Sequence, residues 1–364
     1  MRLGPALALY IARQFLIGLG GALLLLCLLA FAIDFVELSR RTAGHEDVGT
    51  SLALTLAALR VPFLLQKAVP FAVLFGAMAC YTRLTRTHEL VVARAAGVSA
   101  WQFLMPAVAL AALVGAFVIA LVNPLSSVLV SRFERLEADL LTGQTSLMSV
   151  SSSGLWLREG DANGQNVIHA QRVADQGIEL HEVIFFLYEN TDRFVRRIDA
   201  ASAVLGDGVW RLERVVVSAP DEPSLVLAEL DLPTGLTAAR IQESFAAPET
   251  MSFWDIPSFV RTLEAAGFSG LRHRLYWHAI LSGPVLLVAM VLVGTMFSLR
   301  LSRIGGTGLL LLGGLITGFM LYFLTDVSRA VGLSGGLPPA LAAWAPALVA
   351  MLAGLALVVY VEEG

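Results

Sequence analysis

Lysine is nearly missing from this chain. Lys67 is the only one among 25 Lys and Arg residues in a sequence of 364. It sits in Leu65-Gln66-Lys67-Ala68, without the Gly-Lys-Ser/Thr of a phosphate-binding loop, so this sequence holds no ATP site of that kind. Charge of either sign is also scarce. Asp, Glu, Lys and Arg together make up 15%, where soluble globular chains carry about 25%. Hydrophobic residues reach 57% and the net charge is −4. These values exclude a disordered or ordinary cytosolic protein, and they supply no basic field that would draw a nucleic acid. The two cysteines, Cys27 and Cys80, lie in or beside apolar runs and read as packing residues, not as a disulfide or metal pair. His169 and His181 find no third ligand at a metal-binding spacing.

What the chain does have is long stretches without charge. A helix crossing a bilayer needs about 20 apolar residues. Uncharged windows of 20 residues lie between Arg13 and Asp34, 37 between Arg94 and Arg132, 25 between Arg274 and Arg300, 22 between Arg303 and Asp326, and 32 between Arg329 and Glu362. A sixth apolar stretch, about 53–81, is interrupted by Arg60 and Lys67. The fold expected is an α-helical membrane protein with six transmembrane helices in a 3+3 arrangement and an inserted all-β domain. Residues 1–131 hold the first three spans with a loop over 82–100. Residues 132–274 form the β domain, with a short return helix near 255–266. Residues 275–364 hold the last three spans. Ala30-Phe31-Ala32 is similar to a signal-peptidase site, but a signal peptide's apolar region is about 7–15 residues, shorter than the first run.

Arginine placement orients the spans. Arg2 and Arg13, then Arg83, Arg86 and Arg94, then Arg300 and Arg303 fall on one common side. On the other side Arg40 and Arg41 are offset by Glu37, Glu46 and Asp47, and Arg329 by Asp326. Both termini are therefore expected in the cytoplasm and the central domain outside, which is periplasmic in a Gram-negative cell.

From Leu155 the pattern becomes short and period-two, as in Ile178–Val183 and Val209–Val215. Turn clusters at 161–164, 189–192, 206–208 and 220–223 separate the runs. Six to eight strands at this spacing predict a sandwich or jelly roll. Ser151-Ser152-Ser153 lacks the context of a catalytic nucleophile. A sheet outside a membrane can pair an edge strand with another protein or offer a groove to an apolar ligand.

Several charged residues stand out. Glu89 is the one acid in a loop that holds Arg83, Arg86 and Arg94, on a stretch from His88 to Ala96 with helical spacing. It can pair with an arginine on a partner surface or make a salt bridge to Arg86 or Arg94. Arg40 and Arg41 follow the first span, and Arg132 and Arg135 follow the third. Arginine grips phosphate bidentately; it also anchors spans by snorkelling. Asp34 closes the first uncharged window. Arg60 and Lys67, seven apart, share a helix face that Pro62 and Pro70 can kink. Charges at that depth face a cavity or a partner. Gly18, Gly20 and Gly21 in the first span and Gly313, Gly314 and Gly318 in the fifth predict close helix approach, either to a partner subunit or within the chain.

Local segments carry a resemblance. They are Tyr10-Ile11-Ala12-Arg13, Phe35-Val36-Glu37-Leu38, Glu89-Leu90-Val91-Val92 with Ala95-Ala96-Gly97-Val98-Ser99, Ser153-Gly154-Leu155-Trp156, and Gly335-Gly336-Leu337-Pro338-Pro339. With the 3+3 layout they resemble the LptF/LptG permeases of lipopolysaccharide export over nearly the whole chain, and the last two favour the LptG branch. The resemblance implies a bacterial inner-membrane transport subunit that is not itself an enzyme. It implies an LptF-like permease partner and an LptB-like ATPase dimer that holds ATP and Mg. LptC-like and LptA-like periplasmic proteins receive the lipopolysaccharide through β-jellyroll domains. By resemblance, Glu89 with Arg86 and Arg94 meets the ATPase, and Arg40, Arg41, Arg132 and Arg135 meet the lipid headgroup. Asp34 departs from the family, where some members carry a basic residue that contacts the ligand. The remaining alternatives are an LptF-type paralogue, a secondary transporter or a membrane-anchored periplasmic scaffold. The secondary transporter would need an internal repeat and mid-membrane carboxylates, and neither is evident.

Overall fold

The computed structural model describes residues 4–42, 50–137, 148–151, 154–161, 164–174, 179–189, 193–220, 223–237, 241, 246–265, 268–300 and 307–363. Glu46, Asp47, Ser152, Ser153, Arg303 and Gly267 lie outside them, as do the turn clusters at 162–163, 190–192 and 221–222. The chain divides into two compact units. One comprises Met1–Glu134, Ser252–Trp254 and Arg274–Gly364, and the other Arg135–Met251 and Asp255–His273.

The first unit is helical. Its elements are α1 (Pro5–Thr42), α2 (Thr50–Arg86), α3 (Glu89–Ala95), α4 (Ala100–Phe117), a π-helical turn at Val118–Val122, α5 (Asn123–Glu137), α7 (Leu271–Leu281), α8 (Gly283–Arg300), α9 (Thr307–Leu333) and α10 (Pro339–Glu363). Among the described residues four helices are long and apolar enough to cross a membrane: Pro5–Arg41, Ser51–Arg86, Ala100–Glu137 and Pro339–Tyr360. A fifth follows if Leu271–Leu281 and Gly283–Ser298 count as one span bent by 45°. The bend falls where Gly283-Pro284 interrupts the ladder, because proline brings no N–H and crowds the preceding turn. The Ser282 hydroxyl donates to the Ala279 and Ala343 carbonyls at the break, at 3.0 and 3.2 Å. The 27-residue α9 carries no charge before Asp326.

Around α2 the core is closely packed. Phe15, Leu74, Tyr81, Phe103 and Val291 are fully or almost fully buried, and the Tyr81 hydroxyl donates to the Phe103 carbonyl at 3.1 Å. The hydroxyls of Thr82 and Ser298 join α2 to α8, at 3.2 Å to each other and 3.1 Å from Ser298 to the Met78 carbonyl.

Glycine decides where backbones meet. A Cβ on Gly18 would lie 2.8 Å from the Gly76 carbonyl oxygen, and one on Gly76 would lie 2.7 Å from Leu19 N. One on Gly314 would run into Met78 Sδ, one on Gly313 would meet Phe297 at 2.7 Å, and one on Gly318 Leu74 at 3.1 Å. Gly18, Gly313, Gly314 and Gly318 therefore serve packing inside the chain, and a seam with a partner built on these four is not what they form. Gly20 and Gly21 have nothing within 4 Å. They lie on α1 among exposed Leu16, Ile17, Leu24 and Leu25.

The second unit is a seven-stranded antiparallel sheet in the order β1-β2-β3-β4-β5-β6-β7. The strands are Met148–Ser151, Gly154–Asp161, Gly164–Ala174, Glu179–Glu189, Arg193–Leu205, Val209–Ser218 and Leu225–Pro233. Every strand pairs with its chain neighbour, because the connections are too short to cross the sheet. The Greek-key crossover of a strict jelly roll does not occur among the described residues; the sheet is a meander. Glu182 on β4 and Arg214 on β6 have φ of +52° and +53°. Pairing skips both residues, yet the register on either side is unchanged. At both positions the ladder is interrupted without an inserted residue. That core holds Leu157, Phe185, Ile198, Leu212 and the fully buried Trp210. The amphipathic α6 (Ile256–Ala265) buries Ile256, Val260 and Leu263, and Leu263 joins the core.

Candidate functional site

Three places in the helical unit collect charged side chains. The first is the turn between α2 and α4. Residue 88 turns left-handed at φ +59°, which ends α2 and redirects the chain into α3. Gly97, at φ +82°, closes α3, a conformation that glycine adopts without Cβ strain. Ser99 and Gln102 then form a reciprocal capping box that starts α4. Within this frame Glu89 is half-buried. Its Oε1 accepts from the Tyr10 hydroxyl at 3.2 Å and the Thr87 hydroxyl at 2.8 Å. Both of these donors are hydroxyls. Leu90 turns inward while Val91 and Val92 are 59% and 67% exposed. Arg86 and Arg94 are exposed on the same segment. The result is a short helix with a fixed carboxylate, a bare apolar pair and flanking arginines.

The second place lies where α1 nears its end. Asp34 and Arg60 form an ion pair between α1 and α2, with side chains 12% and 31% exposed. The Arg60 guanidinium also lies over the Phe133 ring, 5.0 Å from its centroid. Oδ2 of Asp34 is buried and has no hydrogen-bond partner among the described residues. One turn on, Glu37 accepts from Arg40 and Arg41, both at 2.9 Å. Three of the arginines in this part of the sequence are thus matched by internal acids. Arg132 and Arg135 are exposed on α5.

The third place is a cavity of about 260 Å³ within the helical unit. Gln66, Lys67, Val118, Pro70, Tyr322 and Asp326 are among its lining residues. The Lys67 ammonium rests 4.5 Å from the centre of the Phe63 ring. Gln66 Nε2 is buried without a hydrogen-bond partner among the described residues. The wall includes the π-helical turn, a local form common at functional sites. It also includes Gly115, whose missing side chain admits Pro284; a Cβ there would lie 2.6 Å from Pro284 Cα. Cys27 and Cys80 are free thiols. Among the described residues no group of three His, Cys, Asp or Glu side chains could hold a metal ion.

The candidate residues thus fall into separate clusters. Arg60 joins Asp34, while Lys67, on the same helix face, belongs to the cavity. Nothing in the sequence ties Tyr10 or Thr87 to Glu89, the carboxylate they fix. Asp326 was visible only as a charge near a span end.

The family described as "Lipopolysaccharide export system permease LptF/LptG" matches residues 9–360. The lipopolysaccharide export system permease protein LptG of Escherichia coli K12 is 24% identical over 351 residues, covering 93% of both chains. LptG of Haemophilus influenzae is 23% identical over 355 residues, covering 93% of this chain and 94% of its own. With a match that spans both groups of apolar helices and the sheet between them, the chain belongs to the LptF/LptG family of lipopolysaccharide export permeases.

Proposed function

We propose that this chain is the LptG-type transmembrane subunit of an ATP-driven transporter that extracts lipopolysaccharide from the inner membrane and passes it to a periplasmic bridge. The observation that carries this reading is the family match over residues 9–360. The LptG branch is favoured over LptF because the relatives at 23–24% identity are named LptG. In this reading α9 and the bent pair α7–α8 join the other four spans, giving six in two groups of three. Both termini lie in the cytoplasm and the sheet is periplasmic, consistent with the arginine distribution. Residues 1–131 and 275–364 form the membrane part, and 132–274 the periplasmic part.

ATP and Mg bind a partner ATPase dimer, because this sequence has no phosphate-binding loop. That partner docks on α3. Val91 and Val92 supply apolar contact, and Arg86, Arg94 and the fixed Glu89 supply charge. The outer ends of α1 and α5 receive the headgroup, with Arg40, Arg41, Arg132 and Arg135 as phosphate ligands. An LptF-like permease covers the exposed apolar face of α1, where Gly20 and Gly21 allow close approach. The sheet takes the acyl chains onward to LptC-like and LptA-like proteins. The membrane-depth charges Asp34, Arg60 and Lys67 line the path or its walls.

A photoreactive residue placed at 132 or 135 in the assembled transporter tests the headgroup assignment. Labelling of lipopolysaccharide is expected from at least one position. An active transporter that labels from neither would leave these arginines as membrane anchors.

A further inference from the structure

Three breaks in helix regularity meet at the cavity of about 260 Å³ in the helical unit. Pro70 inside α2, Val118 and Ile119 of the π-helical turn, and Gly283 at the α7–α8 bend all line it. At membrane depth, backbone released from the helical ladder is tolerated where it is buried in protein or faces a cavity. Three separate helices that break toward one space mark a built cavity, not a packing fault.

Its lining is divided. The floor is apolar and buried, with Val69, Leu287 and Met290 each 3% exposed. The rim is polar and open, with Lys67, Asp326 and Arg329 exposed. Lys67 and Arg329 against Asp326 leave one positive charge on that rim. The Phe63 ring under the Lys67 ammonium attracts it but supplies no counter-charge. Gln66 adds a buried amide nitrogen without a hydrogen-bond partner among the described residues. That nitrogen is a donor, and an acceptor completes it. At about 30 Å³ per small group, the share of one water in the liquid, the space holds roughly nine such groups. That is the scale of one medium-length acyl chain, and far short of the several chains of a lipid A.

We infer that this cavity binds a single acyl chain ending in one anionic head. The head sits at Lys67 and Gln66, and the chain lies on the floor formed by Leu287 and Met290. A free fatty acid and one chain of an anionic phospholipid share this chemistry. The site is separate from the headgroup arginines on α1 and α5, and the inference rests on the helical unit, not on the transport reading.

The test places the full chain, with the subunits that co-purify with it, in phosphatidylcholine nanodiscs. The probes are dodecanoic acid bearing a diazirine and the matching alcohol. After photolysis, peptide mapping should find the acid on α2, the π-helical turn or α8, about tenfold more than the alcohol, the scale of one charge-assisted contact. Lys67→Met should bring the acid down to the level of the alcohol. Gly283→Leu should remove both labels and keep the native unfolding midpoint, because a Cβ there meets nothing within 4 Å and the larger side chain starts in open space. A second arm uses phosphatidylglycerol with one diazirine-bearing chain. Labelling by it at the same positions assigns the site to phospholipid, and labelling by the acid alone assigns it to free fatty acid; either supports the inference. Labelling by neither, equal labelling by acid and alcohol, labelling unchanged by Gly283→Leu, or complete displacement of the label by excess lipopolysaccharide would overturn it.

Discussion

Glu89 shows how one residue gains a role from its surroundings. A lone exposed carboxylate among arginines contributes under about 1 kcal/mol through any single salt bridge. Here two hydroxyls hold it half-buried, one from α1, 79 positions earlier in the chain. Its orientation is fixed before any partner arrives, which lowers the ordering cost of binding. Glu89→Ala should leave helical content and thermal stability within about 0.5 kcal/mol of native, as surface changes usually do. It should weaken ATPase retention through affinity purification by about tenfold or more, the loss expected for a charge-assisted bond. Tyr10→Phe should give a smaller loss in the same assay, because it frees the carboxylate without removing it. Normal ATPase retention by Glu89→Ala would show that the hydroxyls hold a purely structural acid. The carboxylate was legible in the sequence as the only acid of its loop. Its partners were not, because hydrogen bonds between residues 79 apart leave no local pattern. The Asp34–Arg60 pair was hidden in the same way, across a separation of 26.

Among the elements, the apolar helices and the strands were the most legible. Absence of charge fixes the one because burying charge in hydrocarbon is costly. Period-two alternation fixes the other because side chains in a strand alternate between faces. The glycines were only half legible. A small residue signals close approach but not to what, and only three-dimensional packing separates an internal contact from an external one. The two kinds now predict opposite outcomes. Gly76→Leu forces side-chain atoms into the α1 backbone and should destabilise the detergent-solubilised protein by about 1–3 kcal/mol, the usual cost of overpacking, seen as a lower unfolding midpoint. Gly20→Leu enters open space and should leave that midpoint unchanged, while reducing recovery of the partner permease on co-purification. A stability loss at Gly20 equal to that at Gly76 would place the α1 face inside the chain after all. In the sheet, Trp210→Ala empties a fully buried site and should cost about 3–5 kcal/mol. Limited proteolysis should then cut the strands between Gly154 and Pro233 while α1–α5 stay resistant. Equal protection of native and variant strands would contradict the core assignment. The seven strands fell within the range the alternation predicted, and their meander order did not follow from it. Alternation reports faces and turns, whereas neighbour order depends on whether each connection is long enough to cross the sheet.

At the scale of the whole molecule, the proposal joins two apolar helix groups, a periplasmic sheet and an ATPase-facing turn into one transport path. The family match supplies the system, and the residues given to each task belong to the proposal. The most direct test is reconstitution. The chain, its partner permease and the cytoplasmic ATPase are placed in vesicles containing lipopolysaccharide, with a periplasmic acceptor outside. The account predicts transfer of lipopolysaccharide to the acceptor only when ATP is supplied, and loss of that transfer with Glu89→Ala while the three subunits fold. Transfer that proceeds without ATP, or ATP hydrolysis by the assembled complex with no lipopolysaccharide reaching the acceptor, would contradict it.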